Sequence, residues 1–245
     1  MTKQNFLSSN LSIKLNLPYV ISYCFALIAL GNACFFEKKY LVYTLPPFII
    51  AIGFVYVKEA KKINVFFLIG LLAIIMGDLF TYSDAFRYFP YICISFAIYF
   101  LTNTLALKDY FSFKKFEIRI FFSLPLLISA VLLIYLIYSI TILILPNLED
   151  YLVYIFVMVY FLLFNLAISY YIYVKDLYKK GLSLLVLACV YIFLIAAVSI
   201  NELIYSSRVF TILANLVHII GFYILLYFFS DPKPFDKKKI KEKYL

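Results

Sequence analysis

The stretch INVFFLIGLLAIIMGDLFTYS at residues 63–83 decides the fold. It is apolar on nearly every face, follows Lys61 and Lys62, and holds one carboxyl group, Asp78, deep inside it. A membrane barrel strand would alternate polar and apolar residues over about ten positions. This run does not alternate. As a helix rising about 1.5 Å per residue it is long enough to cross about 30 Å of hydrocarbon. A helix also satisfies its own backbone hydrogen bonds, which lipid does not.

Seven further runs read the same way, at about 17–36, 40–57, 87–107, 120–145, 151–174, 182–205 and 209–230. The composition agrees: 66% of the 245 residues are hydrophobic, 14% are charged, and the mean hydropathy is +0.99. Soluble domains run near 45–50% apolar and about 25% charged. A chain of this length has no soluble interior large enough for so much apolar surface. The expected class is therefore all-α, a polytopic transmembrane bundle of eight spans. It divides into an N-terminal segment (1–16), the helical domain (17–230) and a basic tail (231–245). Pro46 and Pro47 fall inside the second run and predict a kink there. The polar first segment and the long run after it argue against a cleaved signal peptide.

The basic residues orient the bundle. Eight alternating spans put 18 Lys and Arg on the side of the N-terminus and 4 on the other, namely Lys38, Lys39, Arg87 and Arg208. The positive-inside rule makes the first side cytoplasmic, with both termini there. The tail Lys237-Lys238-Lys239-Ile240-Lys241 then reads as a contact to anionic lipid headgroups. The net charge of +9 is spread over such short clusters, which argues against nucleic acid as a partner and for membrane lipids. The richness in Tyr, Phe, Ile and Lys suggests a bacterial protein of the cytoplasmic (inner) membrane. Oligomeric state is left open. Cys24, Cys34, Cys93 and Cys189 lie in apolar runs without CxxC spacing, so neither a disulfide framework nor a metal site is expected.

Polar side chains inside apolar runs mark the candidate site, because ionisable groups in a bilayer are costly and tend to be functional. Asp78, Thr81 and Tyr82 share one helical face at i, i+3, i+4. Gly70, Ala73 and Gly77 form an adjoining stripe of small residues that would admit a neighbouring helix. In the last run Thr211, Asn215 and His218 make a polar stripe, with Asn215 at about the depth of Asp78. Glu202 ends the seventh run with Ser199 one turn before it, and reads either as a second carboxylate near Asp78 or as a side chain snorkelling to the outer interface. Asp78, Glu202 and His218 are the candidate acid/base groups; Thr81, Tyr82, Asn215 and Ser199 are the candidate substrate contacts. For each, interhelical hydrogen bonding is the alternative reading. Ser95, Tyr99 and Asn103, and Asn165 with Ser169, are secondary polar sets on the fourth and sixth runs. With a single histidine, no multi-histidine metal or haem site is expected. Phosphate loops, nucleophile elbows and HExxH motifs are absent.

The segment Gly70-Leu71-Leu72-Ala73-Ile74-Ile75-Met76-Gly77-Asp78-Leu79-Phe80 resembles the GLLxSxxGDxxL stretch of the YhhN-like family, which includes lysoplasmalogenases. The resemblance covers the whole chain in architecture and about a dozen residues in motif. The region corresponding to the family's second Ser-Asp pair reads FLIAAVSINELIYSSRVF, without Asp, and the resemblance leaves Ser199, Asn201 or Glu202 to take its place. The histidine near Phe and Tyr after the family's third span is also missing from FRYFPYICISFAIYF. The resemblance implies a membrane hydrolase that cleaves the vinyl-ether bond of lysoplasmalogen-type lipids with water and no cofactor, with Asp78 as acid/base and Glu202 or His218 as the second group. The alternative expectation is a non-enzymatic lipid-binding, sensory or accessory membrane protein.

Overall fold

The computed structural model describes residues 17–110, 131–132, 134–139, 142, 149–175, 178 and 180–230. Seven helices among them are long and apolar enough to cross a membrane. They are α1 (Leu17–Phe35), α2 (Leu41–Glu59), α3 (Val65–Asp84), α4 (Phe89–Ala106), α5 (Leu152–Val174), α6 (Gly181–Leu203) and α7 (Arg208–Ser230). No strand occurs among the described residues. The expected span at 120–145 lies mostly outside them, as do the 1–16 segment and the basic tail. The expected boundaries of the other seven agree with the helices within about two residues, the usual scatter at frayed ends. α2 runs as one helix through Pro46 and Pro47.

The helices close into a ring in chain order. Each packs on the next, α7 returns to α1, and α2 also touches α7. Short links force neighbours to run antiparallel. The ring therefore has two ends: one carries the α1–α2, α3–α4 and α6–α7 links, including Lys38 and Arg87, and the other carries the α2–α3 link. Large apolar side chains such as Leu27, Tyr43, Phe54, Val153 and Val209 point outward. That is the arrangement of a bundle whose outer solvent is lipid. Inside, Leu45, Phe48, Ile49, Ile52 and Phe67 are fully enclosed.

The small-residue stripe of α3 faces α4, as its spacing suggests. A Cβ on Gly70 would lie 2.9 Å from Thr102 Oγ1, and one on Gly77 would lie 3.4 Å from Ser95 Cβ. Thr102 cannot readily yield, since its hydroxyl donates to the carbonyls of Ile98 and Tyr99. Asn64 fixes the start of α3: its side chain accepts from Phe66 N and donates to Ala106 O at the end of α4. Tyr56 OH accepts from the Asn64 backbone N–H. These contacts lock the α3–α4 hairpin against α2.

A prediction separates the two glycines. Helix propensity favours Gly→Ala by about 1 kcal/mol, and overpacking costs about 1–3 kcal/mol. Gly70→Ala is therefore expected to lower the unfolding temperature of the purified protein in detergent, and Gly77→Ala to leave it unchanged or raise it. Equal effects at both positions would show that the 0.5 Å difference in clearance does not matter.

Candidate functional site

The site is built first from α3 and α7, whose side chains approach each other inside the ring. α3 presents Asp78 and Tyr82 one turn apart; α7, running the other way, presents His218 and Asn215 one turn apart. His218 Nε2 lies 3.8 Å from Asp78 Oδ2. That spacing is too long for a direct hydrogen bond and short enough for an ion pair. One turn away Asn215 Nδ2 donates to Tyr82 OH at 3.4 Å and to Thr211 O at 2.8 Å. Asp78, Asn215 and His218 are 4%, 0% and 5% exposed. The His218 ring stacks on Phe222, with centroids 4.8 Å apart.

The register differs from the expected one. Asp78 meets His218, and Asn215 meets Tyr82. His218 is ten residues from the start of α7, whereas Asp78 is six from the end of α3. α7 thus reaches about one turn, roughly 6 Å, beyond α3 at the Lys38 end.

Glu202 closes the same end of the ring, and it does not snorkel alone. Its Oε2 receives Lys38 Nζ at 2.7 Å, and its side chain is 5% exposed. Its Oε1 accepts from Asn201 Nδ2 at 2.8 Å. Asn201 Nδ2 also reaches Thr211 Oγ1 at 3.1 Å, and Asn201 Oδ1 accepts from the backbone N–H of Ser207. The network ties the α1–α2 link to the end of α6 and the start of α7. Tyr82 lies within electrostatic reach of both Asp78 and Glu202. Sequence reasoning did not single out Lys38 as a site residue. The available signal was that Lys38 is one of only four basic residues on its side.

An apolar cavity of about 100 Å³ adjoins this polar system and opens to the surroundings. Phe89, Ile92, Phe96, Met158, Leu162 and Leu194 line much of it, and Thr81, Ser199 and Glu202 supply polar groups in its wall. The Thr81 hydroxyl donates to Gly77 O, one turn back on its own helix. The seven candidate residues therefore form two adjoining groups. Thr81, Ser199 and Glu202 border the cavity. Asp78, Tyr82, Asn215 and His218 form the α3–α7 seam beside it, and neither Asp78 nor His218 lines the cavity.

The secondary polar sets join other helices. The Tyr99 and Tyr191 hydroxyls share a hydrogen bond between α4 and α6. Asn165 Nδ2 donates to Thr104 Oγ1 between α5 and α4. Ser95, Asn103 and Ser169 are buried as well. Among the described residues no three His, Cys, Asp or Glu side chains gather as a metal-ligand set.

Among the described residues, fold and site define a helical bundle with seven helices apolar enough to cross a membrane and a buried polar seam between two of them. No protein family, curated protein or solved structure matches the chain.

The ion pair at the ring's end makes a testable prediction. Removing one partner of a well-buried pair costs about 3–5 kcal/mol, and the half-exposed lysine reduces that to about 1–2 kcal/mol. Lys38→Met is expected to destabilise the protein by that amount, and adding Glu202→Gln to recover part of the loss. A double-mutant cycle in thermal unfolding measures the coupling, and strict additivity would refute the pair's role.

Proposed function

We propose that the chain is an integral membrane hydrolase, similar in action to the YhhN-like lysoplasmalogenases, that cleaves the vinyl-ether bond of a single-chain ether phospholipid. The observation that carries this reading is a buried carboxyl–imidazole pair, Asp78 and His218, beside an apolar cavity lined by Phe89, Ile92, Phe96, Met158 and Leu162. Two titratable groups side by side in a low-dielectric site suit acid/base work. The cavity wall takes the hydrocarbon, and Thr81, Ser199 and Glu202 mark where the polar part of the lipid would lie.

The reaction needs one proton and one water. Asp78 as a carboxylic acid gives its proton to the vinyl carbon remote from the ether oxygen, leaving an oxocarbenium ion. Water attacks the oxygen-bearing carbon and yields its proton to His218. The hemiacetal then loses the glycerol hydroxyl to give a free aldehyde and a lipid with a free hydroxyl. The proton returns to Asp78 and one water is consumed. Bacterial inner-membrane location, cytoplasmic termini and headgroup contacts by the basic tail belong to the same proposal, supported by the charge split.

The test is aldehyde release from lysoplasmalogen by the purified protein. General acid–base groups contribute about 10²–10⁴-fold, so Asp78→Asn is expected to slow release by at least about 100-fold. Absence of aldehyde with the unaltered protein, or equal rates for both forms, would refute it. A second reading has an observation of its own: Asp78 and His218 do not line the cavity. In that reading the protein binds an ether lipid or lysolipid without turnover, and Asp78→Asn changes stability alone.

A further inference from the structure

The His218 imidazole has no hydrogen bond at the nitrogen nearest Asp78. Its Nε2 is buried and lacks a partner, and Asp78 Oδ2 lies 3.8 Å away. The outer side-chain torsion of a histidine is broad, so a buried imidazole turns readily unless a neighbour sets its plane. One neighbour does. The Phe222 ring, one turn further along α7, lies close to parallel with the imidazole, with centroids 4.8 Å apart and 24° between the planes. Phe222 is braced in turn from α2, where the Phe48 ring stands at 77° to it with centroids 5.8 Å apart. Both phenyl rings are buried, at 2% and 0% exposure. Phe48 also packs against Tyr223, whose hydroxyl shares a hydrogen bond with Ser22 of α1. The brace therefore comes from two helices that carry no candidate acid/base group.

We infer that Phe222 is a positioning residue of the Asp78–His218 pair: its ring face sets the imidazole plane that holds Nε2 toward Asp78. The inference rests on the proposed acid/base role of that pair and names what keeps the pair in place. An aromatic face also attracts a positive charge within about 6 Å of its centre. It suits the imidazolium that forms when water yields its proton to His218. A leucine at this position would fill much of the volume and supply neither the flat face nor its charge distribution. Phe222 transfers no proton itself and acts through His218.

The test uses the fact that His218 is the only histidine in the chain. Full-length protein labelled with NMR-active carbon and nitrogen at histidine gives one imidazole to follow in detergent. In the unaltered protein its resonances should form one narrow set, with the ring protons shifted upfield of free histidine by the Phe222 face. Phe222→Leu should broaden or split the set and move the ring protons downfield. It should also lower kcat for aldehyde release by about 10–100-fold with KM unchanged, because a misplacement of about 1 Å can cost about 100-fold. Phe222→Tyr keeps the ring and should restore both readouts. Phe67 is equally buried but packs on Tyr56 and Phe229; Phe67→Leu should lower stability and leave the imidazole set in place. An unchanged set in Phe222→Leu, the same change in Phe67→Leu, or an altered set with unchanged kcat would overturn the proposal. If Phe222→Leu does not fold, the unaltered protein decides: upfield ring protons support the stack, and ring protons at free-histidine positions reject it. If no form releases aldehyde, the hydrolase reading fails, and the imidazole spectra still decide what sets the ring.

Discussion

The approach of Asp78 to His218 across the α3–α7 seam sets conditions that the surrounding helices must meet. A carboxyl group in an apolar bundle is tolerated only where polar groups and close packing replace water. α3 is therefore gripped on two sides. Gly70 and Gly77 let α4 come close on one side, and Asp78 and Tyr82 engage α7 on the other. The hairpin of α3 and α4 cannot shift along α7 by a turn without moving Asp78 away from His218 and Tyr82 away from Asn215.

The ring order follows from the same requirement. α7 must return beside α1, α2 and α3 to bring its polar stripe to Asp78. Ser22 and Tyr223, sharing a hydrogen bond between α1 and α7, and Phe48, set edge-on to Phe222, hold it there. At the Lys38 end the short α1–α2 link reaches the end of α6, where Lys38 meets Glu202. The polar network of Glu202, Asn201 and Thr211 then continues along α7 toward Asn215. Polar groups at the ring's end and at its centre are thus joined by one helix, with the apolar cavity along the side formed by α3, α4, α5 and α6.

Much of the site was legible in the sequence because helical periodicity is a local property. The spacing of Asp78, Thr81 and Tyr82, and that of Thr211, Asn215 and His218, places each set on one face whatever the neighbours are. That each apolar helix needs a buried reason for such groups was also legible. The partner of each group was not. Glu202 read equally as a lone interfacial carboxylate, since its counter-ion is 164 residues away in the chain. Tyr99 read as part of a polar set suited to interhelical hydrogen bonding, but its partner Tyr191 depends on how α4 and α6 rotate about their axes.

The sequence by itself determined the class, the position of seven helices and the faces that carry polar groups, because hydropathy and period depend on near neighbours along the chain. Only the tertiary structure decided the ring order, the one-turn offset that pairs Asp78 with His218 in place of Asn215, the Lys38–Glu202 pair, and the separation of cavity from seam. Those depend on the lengths of whole helices and on side-chain volumes at their contacts, such as the clearance at Gly70. No pattern within one helix encodes them.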